Sequence, residues 1–200
     1  SSWTAAAGIS STNGAVFMMD PTKGATGKVL VAQITVAVPC SKGWTAKMQM
    51  VGKTATGEWR DYVTFGWSKF SGTPSPPPSP PPPPSPPSGG CPKYTPSATT
   101  STGGSRTTLS VVQTGTSKNG ATFRLYATLK GSAKTLYALA GTAGNALVLP
   151  PAFQAAKGGK DVGGVDPDMW KTFGVKDTEF DSWLTVGTAF DKAGALASKG

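Results

Sequence analysis

The sequence has no histidine, only two cysteines and only ten acidic residues among its 200 residues. Histidine is the commonest general base and a common metal ligand, so its absence excludes Ser-His-Asp and Cys-His catalytic arrangements within the chain. No apolar run approaches the roughly 18 residues that a membrane-spanning helix needs. These absences argue against the commonest hydrolytic machinery and against a membrane span.

Charge is scarce and unbalanced. Charged residues make up 14% of the chain, and the formal net charge is +9. A basic balance can indicate nucleic-acid binding, but the Lys and Arg residues are scattered and form no run or stripe. Attraction to acidic polysaccharide is a better use of such diffuse charge, and plain solubility is the simplest explanation. We expect no nucleic-acid partner.

The carboxylates form no pattern typical of an active site. A glycosidase needs two carboxylates across a cleft, and nothing in the sequence singles out such a pair. Asp166 and Asp168, in the stretch VDPD, are typical of turns. Together with Asp161 they could ligate calcium, but no recognised loop pattern surrounds them. We therefore expect no enzyme activity, no cofactor and no metal site.

A run of proline dominates the middle of the chain. Residues Pro74–Pro87 contain eleven prolines and three serines. Because proline fixes φ and has no N–H to donate, this run predicts a polyproline II rod of about 43 Å. A passive spacer and a ligand for SH3- or WW-like domains are two interpretations of such a rod.

A third interpretation is a modified rod. The blocks SPPPSPPPPPSPP resemble the Ser-Pro-n repeats of hydroxyproline-rich glycoproteins, the extensin and pherophorin-like proteins of plant and green-algal walls. The resemblance implies hydroxylated prolines with O-linked sugars, and serines as secondary sites. Carried over, the modified residues are Pro76, Pro77, Pro78, Pro80, Pro81, Pro82, Pro83, Pro84, Pro86, Pro87, Ser75, Ser79 and Ser85. No Asn-X-Ser/Thr sequon is present, so any glycan would be O-linked.

The rest of the chain predicts an all-β fold. Short alternating stretches are separated by Gly-rich turns, and no long amphipathic helix is apparent. Predicted strands before the proline run are Ala15–Met19, Lys28–Val38, Thr45–Val51 and Asp61–Trp67; those after it include Thr107–Gly115, Ala121–Gly131 and Phe180–Gly187. We therefore predict two immunoglobulin-like β-sandwich domains, residues 1–72 and 91–200, joined by a polyproline linker at 73–90. This layout resembles protomers of glycan-coated extracellular fibrils.

A first domain of 72 residues would have open sheet edges, which proteins normally cover or pair. The N-terminal arm SSWTAAAGISSTNG is uncharged and has one bulky anchor, Trp3. Donated to a neighbouring chain, the arm would propagate a filament; alternatively, it closes its own domain.

The first of the two cysteines, Cys40, lies at the end of a predicted strand of the first domain, and the second, Cys91, lies just after the proline run. In a secreted chain they would form one disulfide. An intrachain bond, an interchain bond between protomers and free thiols are the three alternatives. Secretion itself is suggested by a start at Ser-Ser-Trp instead of Met, which a cleaved signal peptide or a fragment would explain.

Six tryptophans are many for this length, and an exposed row would stack on sugar rings. Core packing is the simpler explanation, with Trp44 and Trp59 the best candidates for exposure. The sequence thus predicts a secreted structural glycoprotein, a subunit of a homopolymeric extracellular fibril or cell-wall layer. The alternative is a cell-surface carbohydrate-binding module on a proline-rich stalk.

Overall fold

The computed structural model describes residues 3–37, 43–67, 106–172, 174–190 and 194–199. These residues are mostly β-strand in two antiparallel sheets, which confirms the all-β class. The strands are β1 Ile9–Ser11, β2 Ala15–Met18, β3 Lys28–Val36, β4 Trp44–Lys53, β5 Glu58–Trp67, β6 Thr107–Ser117, β7 Gly120–Leu129, β8 Thr135–Ala140, β9 Leu147–Leu149, β10 Trp183–Leu184 and β11 Leu196–Lys199. One short helix, α1 (Pro167–Thr172), and 3-10 turns at Pro21–Lys23 and Lys176–Phe180 complete the described elements. No helix in the described ranges is long and apolar enough to cross a membrane.

The large sheet is built around β4. One edge of β4 pairs with β5 along its whole length, and the other edge pairs with β8 and β9, which lie end to end. Beyond them, β2 pairs with β8 and β1 pairs with β9, and β11 is the outermost strand beside β2. The small sheet has the order β10-β3-β7-β6.

The strands do not divide at the proline run, which corrects the prediction of two separate sandwiches. β3, from the first half of the chain, pairs with β7 from the second half, and β4 pairs with β8 and β9 in the same way. The buried side chains of both halves form one hydrophobic cluster. Each half alone would leave central strands with open edges, which is the physical reason why the halves combine.

The strand β3 contains a bulge that changes which of its residues face the core. The register with β7 shifts between Leu30 and Ala32, so Val31 is an extra residue. Val29 and Val31 join the core before the shift, and Ala32 and Ile34 join it after the shift. Strict alternation would place Leu30 on the same face as Ala32 and Ile34, and the bulge prevents this.

The second face of β3 is also covered. Gln33 and Thr35 are buried there. The backbone N–H of Phe153 donates to the carbonyl of Thr35, and the backbone of Thr35 donates to the Ser182 hydroxyl. The segment after β9 thus lies across the outside of the small sheet.

That covering segment also explains why the predicted strand Phe180–Gly187 is mostly irregular. Only Trp183 and Leu184 pair as a strand, with Gln33 and Ala32. Trp183, Leu184 and Val186 are all buried, so the expected separation of an inner and an outer face does not occur. The other strands listed from the sequence are present with ends shifted by one to three residues.

Several predictions fall outside the described residues. They are the polyproline rod with its modified prolines and serines, and the pairing of Cys40 with Cys91. The last described residue before the rod is Trp67 in β5, and the first after it is Arg106 at the start of β6.

Candidate functional site

The N-terminal arm, residues 3–14, lies against its own chain. The Trp3 side chain is only 4% exposed, and its Nε1 donates to the carbonyl of Pro150 at 2.8 Å. The next residue is also held, because the N–H of Ala152 donates to the carbonyl of Thr4 at 3.0 Å. One buried indole and two hydrogen bonds therefore anchor the beginning of the arm.

The arm then forms the three-residue strand β1, whose residues Ile9 and Ser11 pair with Leu149 and Leu147. The backbone of the arm lies very close to the backbone of its neighbours at Gly8 and at Gly141. A Cβ at Gly8 would lie 2.2 Å from the Leu149 carbonyl oxygen, and a Cβ at Gly141 would lie 2.0 Å from that of Ser11. Only glycine allows this contact at either position. The groove is thus shaped for this arm, although the arm contributes only a short strand.

A tight turn separates β1 from β2. The Ser11 hydroxyl accepts a hydrogen bond from the N–H of Gly14 at 2.8 Å, and Thr12 and Asn13 are exposed. Within a single chain the arm closes its own fold, which was one of the two sequence alternatives. Donation to a neighbour would use the same groove after release at this turn, so the assembly role of Trp3 stays a prediction.

The tryptophans do not form a sugar-stacking row among the residues with described side chains. Trp44 and Trp67 pack against Phe123 of the opposite sheet. Their ring centroids lie 5.3 Å and 4.7 Å, respectively, from that of Phe123. Trp59 is 2% exposed, and its Nε1 donates to the Thr135 carbonyl. The choice of Trp44 and Trp59 as exposed candidates was wrong, because both alternate inward with the core residues of β4 and β5.

A different aromatic surface lies on the outer face of the large sheet. The Tyr62 hydroxyl donates to the carbonyl of Ala146 at 2.9 Å, so the ring is held from β5 towards the turn before β9. Tyr62 lies opposite half-buried Gln49 in the register of β4 and β5, and Lys47 lies two pairs further along, on the same face. The exposed cations Lys53 and Arg60 share this face. The sequence signal for this surface is the alternation of Arg60, Tyr62 and Thr64, which places all three on the outer face of β5. This surface was not predicted from the sequence.

A small ionised cluster sits at the end of that face. Glu58 accepts a short hydrogen bond from the Tyr137 hydroxyl and one of 2.7 Å from Arg60 Nε. The Tyr137 hydrogen bond and the neighbouring Arg60 lower the pKa of Glu58. Partial burial, together with the bond to Glu58, raises the pKa of Tyr137 to about 12.

Asp181, in the covering segment, is a fully buried carboxylate. Its two oxygens accept from the backbone N–H groups of Ala155 at 2.8 Å and Lys160 at 2.7 Å. Burial raises the pKa of Asp181 to about 6, although the backbone donors oppose the shift. Gln33 donates to the backbone carbonyls of Glu179 and Asp181, which ties the same loop to β3. Because both carboxylate oxygens are used inside the fold, Asp181 holds the covering segment in place.

Asp166 serves local structure. The N–H of Asp168 donates to Asp166 Oδ1 at 3.0 Å at the start of α1, in keeping with a turn. Among the described residues, no three acidic or cysteine side chains come close enough together to hold a metal ion.

Comparison with protein-family models, with curated proteins and with solved structures finds no match to this chain.

Proposed function

We propose that this chain is a structural extracellular glycoprotein, a subunit of a glycan-coated fibril or cell-wall layer that assembles by strand pairing and apolar contacts. The observation that carries the proposal is the attachment of the N-terminal arm. The arm is uncharged, and it is held by one buried indole, Trp3, and a three-residue strand at the rim of the large sheet. An element attached in this way exchanges readily between identical chains.

Exchange preserves every contact that the arm makes. A neighbouring copy offers the same Pro150 carbonyl to Trp3 and the same Leu147–Leu149 strand to β1. The free energy of the closed and exchanged forms therefore differs mainly in the turn Thr12–Gly14 and in the entropy of association. If each arm enters the next body in one direction, the contact does not close and a filament grows.

The proline run supplies the surface of the proposed fibril. Its Ser-Pro-n blocks resemble hydroxyproline-rich glycoproteins, and sugars on such blocks would hydrate the assembly and hinder proteases. The run begins after Trp67 and ends before Arg106, both of which belong to the same two-sheet body. We therefore assign the modified prolines to an insertion in one folded unit.

The assembly test uses the full chain and electron microscopy. We expect regular filaments from the wild type and none from Trp3→Ala, while Met19→Ala, at a side chain that is 67% exposed, behaves as the wild type. Because Trp3 is also a core residue, thermal unfolding must show that the variant is folded. Filaments from the folded Trp3→Ala variant, or none from the wild type, contradict the proposal.

The glycan test is the intact mass of protein from its native source, with and without reductant. A mass above 20.3 kDa in steps of oxygen and sugar, located on the Pro74–Pro87 peptide, supports the modified rod. Multimers that collapse on reduction would place the disulfide between chains. A mass equal to that of the bare chain contradicts the glycoprotein proposal.

A second candidate is carbohydrate binding on the outer face of the large sheet. The specific observation is the fixed ring of Tyr62 beside Gln49 and Lys47, a combination suited to stacking on a sugar and binding an acidic group. The affinity for an acidic polysaccharide, measured by titration, should then be lowered by Tyr62→Ala and by Lys47→Gln. If both variants bind the polysaccharide as tightly as the wild type does, this face is excluded as the site.

A further inference from the structure

Among the described strands, none pairs with the outer edge of β6, so β6 forms the open edge of the small sheet within the described residues. At the opposite edge, β10 has only two residues, and Leu184 is bridged there by Val162. β6 has eleven residues, TTLSVVQTGTS, with no proline and no charged side chain. Long edges are normally protected by charge, proline or a covering segment, so β6 is unusual. A register shift between Gln113 and Gly115 interrupts its ladder, which leaves residues 107–112 as the regular part.

The pairing with β7 decides which backbone groups of β6 face outward. The N–H of Lys130 donates to the carbonyl of Arg106, so these two residues form a hydrogen-bonded pair. Hydrogen-bonded pairs alternate along an antiparallel ladder. Thr107, Leu109 and Val111 therefore direct their N–H and C=O groups to the open edge. No hydrogen bond from these backbone groups to another described residue occurs on that side.

The edge is also electrically neutral at both ends. Arg106, just before β6, forms an ion pair with the buried Asp61 at 3.9 Å. Lys118, just after it, forms an ion pair with Asp177 at 3.1 Å. In a chain with a net charge of +9, most surfaces of two copies repel each other. The two cations adjacent to β6 in the sequence are thus both in ion pairs, which lessens the repulsion between two copies that approach along this edge.

We propose that the edge of β6 is an interface with the β6 strand of a second copy of this chain, paired antiparallel around Leu109. In this register the outward backbone groups of Thr107, Leu109 and Val111 meet the same groups of the second copy. Two four-stranded sheets then become one continuous sheet of eight strands. The pairing rests on the proposed function for its place in a fibril, where it would join bodies side by side while the arm joins them in sequence.

The same register predicts the neighbours on the outer face. Exposed Thr108 of one copy lies opposite half-buried Ser110 of the other, and the symmetry repeats this pair. Two lysines at these positions would therefore place like charges opposite each other twice. One lysine and one glutamate would place opposite charges there with the same number of substitutions.

Sedimentation equilibrium of the full chain tests the pairing, with Trp3→Ala in the background to remove arm exchange. We expect concentration-dependent dimers, an increase in the dissociation constant of about tenfold or more for Thr108→Lys/Ser110→Lys, and recovery for Thr108→Lys/Ser110→Glu. Thr45→Lys, at an exposed position on the other sheet, should have no effect. A monomer at every concentration, or equal dissociation constants for the two double variants, overturns the proposal.

Hydrogen exchange separates a second β6 from another occupant. Dimerisation should protect the amides of Thr107, Leu109 and Val111 and leave those of the arm unchanged. Protection of arm amides together with β6 would mean that the arm occupies the edge, which overturns the proposed pairing. Filaments that persist when Thr108→Lys/Ser110→Lys is introduced into the wild-type chain, with Trp3 intact, would remove β6 from the fibril but leave the proposed function standing. Dimers that the lysine substitutions weaken, together with no filaments from the wild type, would support the β6 pairing and contradict the proposed function.

Discussion

The chain before the proline run and the chain after it contribute different parts of one body. Residues 3–67 supply β3 and β4, two long strands that have partners on both edges, but pair them locally only in the β4–β5 hairpin. Residues 106–199 supply the β6–β7 hairpin, β8, β9 and the segment that covers β3. Neither part has a complete sheet of its own, so the proline run is an insertion between interdependent halves and does not mark a domain boundary.

The largest effect should come from separating the halves. Residues 1–72 and 91–200, produced alone, should each lack a cooperative unfolding transition, because β3 and β4 lose β7, β8 and β9. Mixed together, they should regain the circular dichroism and thermal transition of the whole chain. A cooperative transition in either fragment alone would restore the two-domain prediction.

A substitution in one half should also destabilise the other. Phe123→Ala removes a ring that lies between Trp44 and Trp67, and should lower the free energy of unfolding by about 3–5 kcal/mol. Tryptophan fluorescence and far-UV circular dichroism should report the same single transition in denaturant. Val112→Ala, at a side chain that is 40% exposed, is the control and should change the free energy of unfolding by less than about 0.5 kcal/mol.

The covering segment should make stability depend on pH. The pKa of Asp181 is raised from 3.8 to about 6, so the folded form binds a proton more tightly than the unfolded form. Its contribution is fully present below about pH 4 and is lost as the pH rises through 6, with a difference of at most about 3 kcal/mol. Asp181→Asn should remove this part of the pH dependence in denaturant titrations, whereas exposed Glu179→Gln should leave it unchanged. An identical pH profile for Asp181→Asn would contradict this account.

The smallest effect belongs to the surface cluster of the large sheet. Glu58→Gln removes the negative partner of Tyr137, so the pKa of Tyr137 should fall from about 12 towards its ordinary value, while its partial burial remains. Ultraviolet absorbance of the phenolate measures this directly. Stability should change by less than about 0.5 kcal/mol, because the carboxylate is largely exposed. An unchanged tyrosine titration would show that Glu58 has no influence on Tyr137.

Local alternation predicted most strands, but not their partners. In β7 the alternating residues Phe123, Leu125 and Ala127 form the buried face, as strict alternation in a strand requires. The same pattern does not show whether β7 pairs with a nearby strand or with β3, some 90 residues earlier in the chain. The alternation of a strand determines which side chains share a face, whereas its pairing partner depends on distant segments. The proline run also suggested a boundary because fourteen residues without a hydrogen-bonding ladder cannot lie in a core.

The candidate site was predicted less well than the fold. Trp3 was recognised as the anchor of the arm because it is the one bulky side chain in an uncharged stretch, but its hydrogen-bond partner Pro150 lies far along the chain. Val31 was missed as a bulge because no glycine or proline marks it. Trp44 and Trp59 were placed near the surface because they flank strands, and long-range packing against Phe123 and Thr135 decided otherwise.

The pairing of β4 with β8 and β9 has a consequence for synthesis. When Trp67 has been made, the partners of β3 and β4 do not yet exist, and β9 is completed only at Leu149. At about 5–20 residues per second the first half waits roughly 4–16 s for the roughly 80 residues between them. During that interval, two long apolar strands have unpaired edges and are open to pairing with other nascent chains.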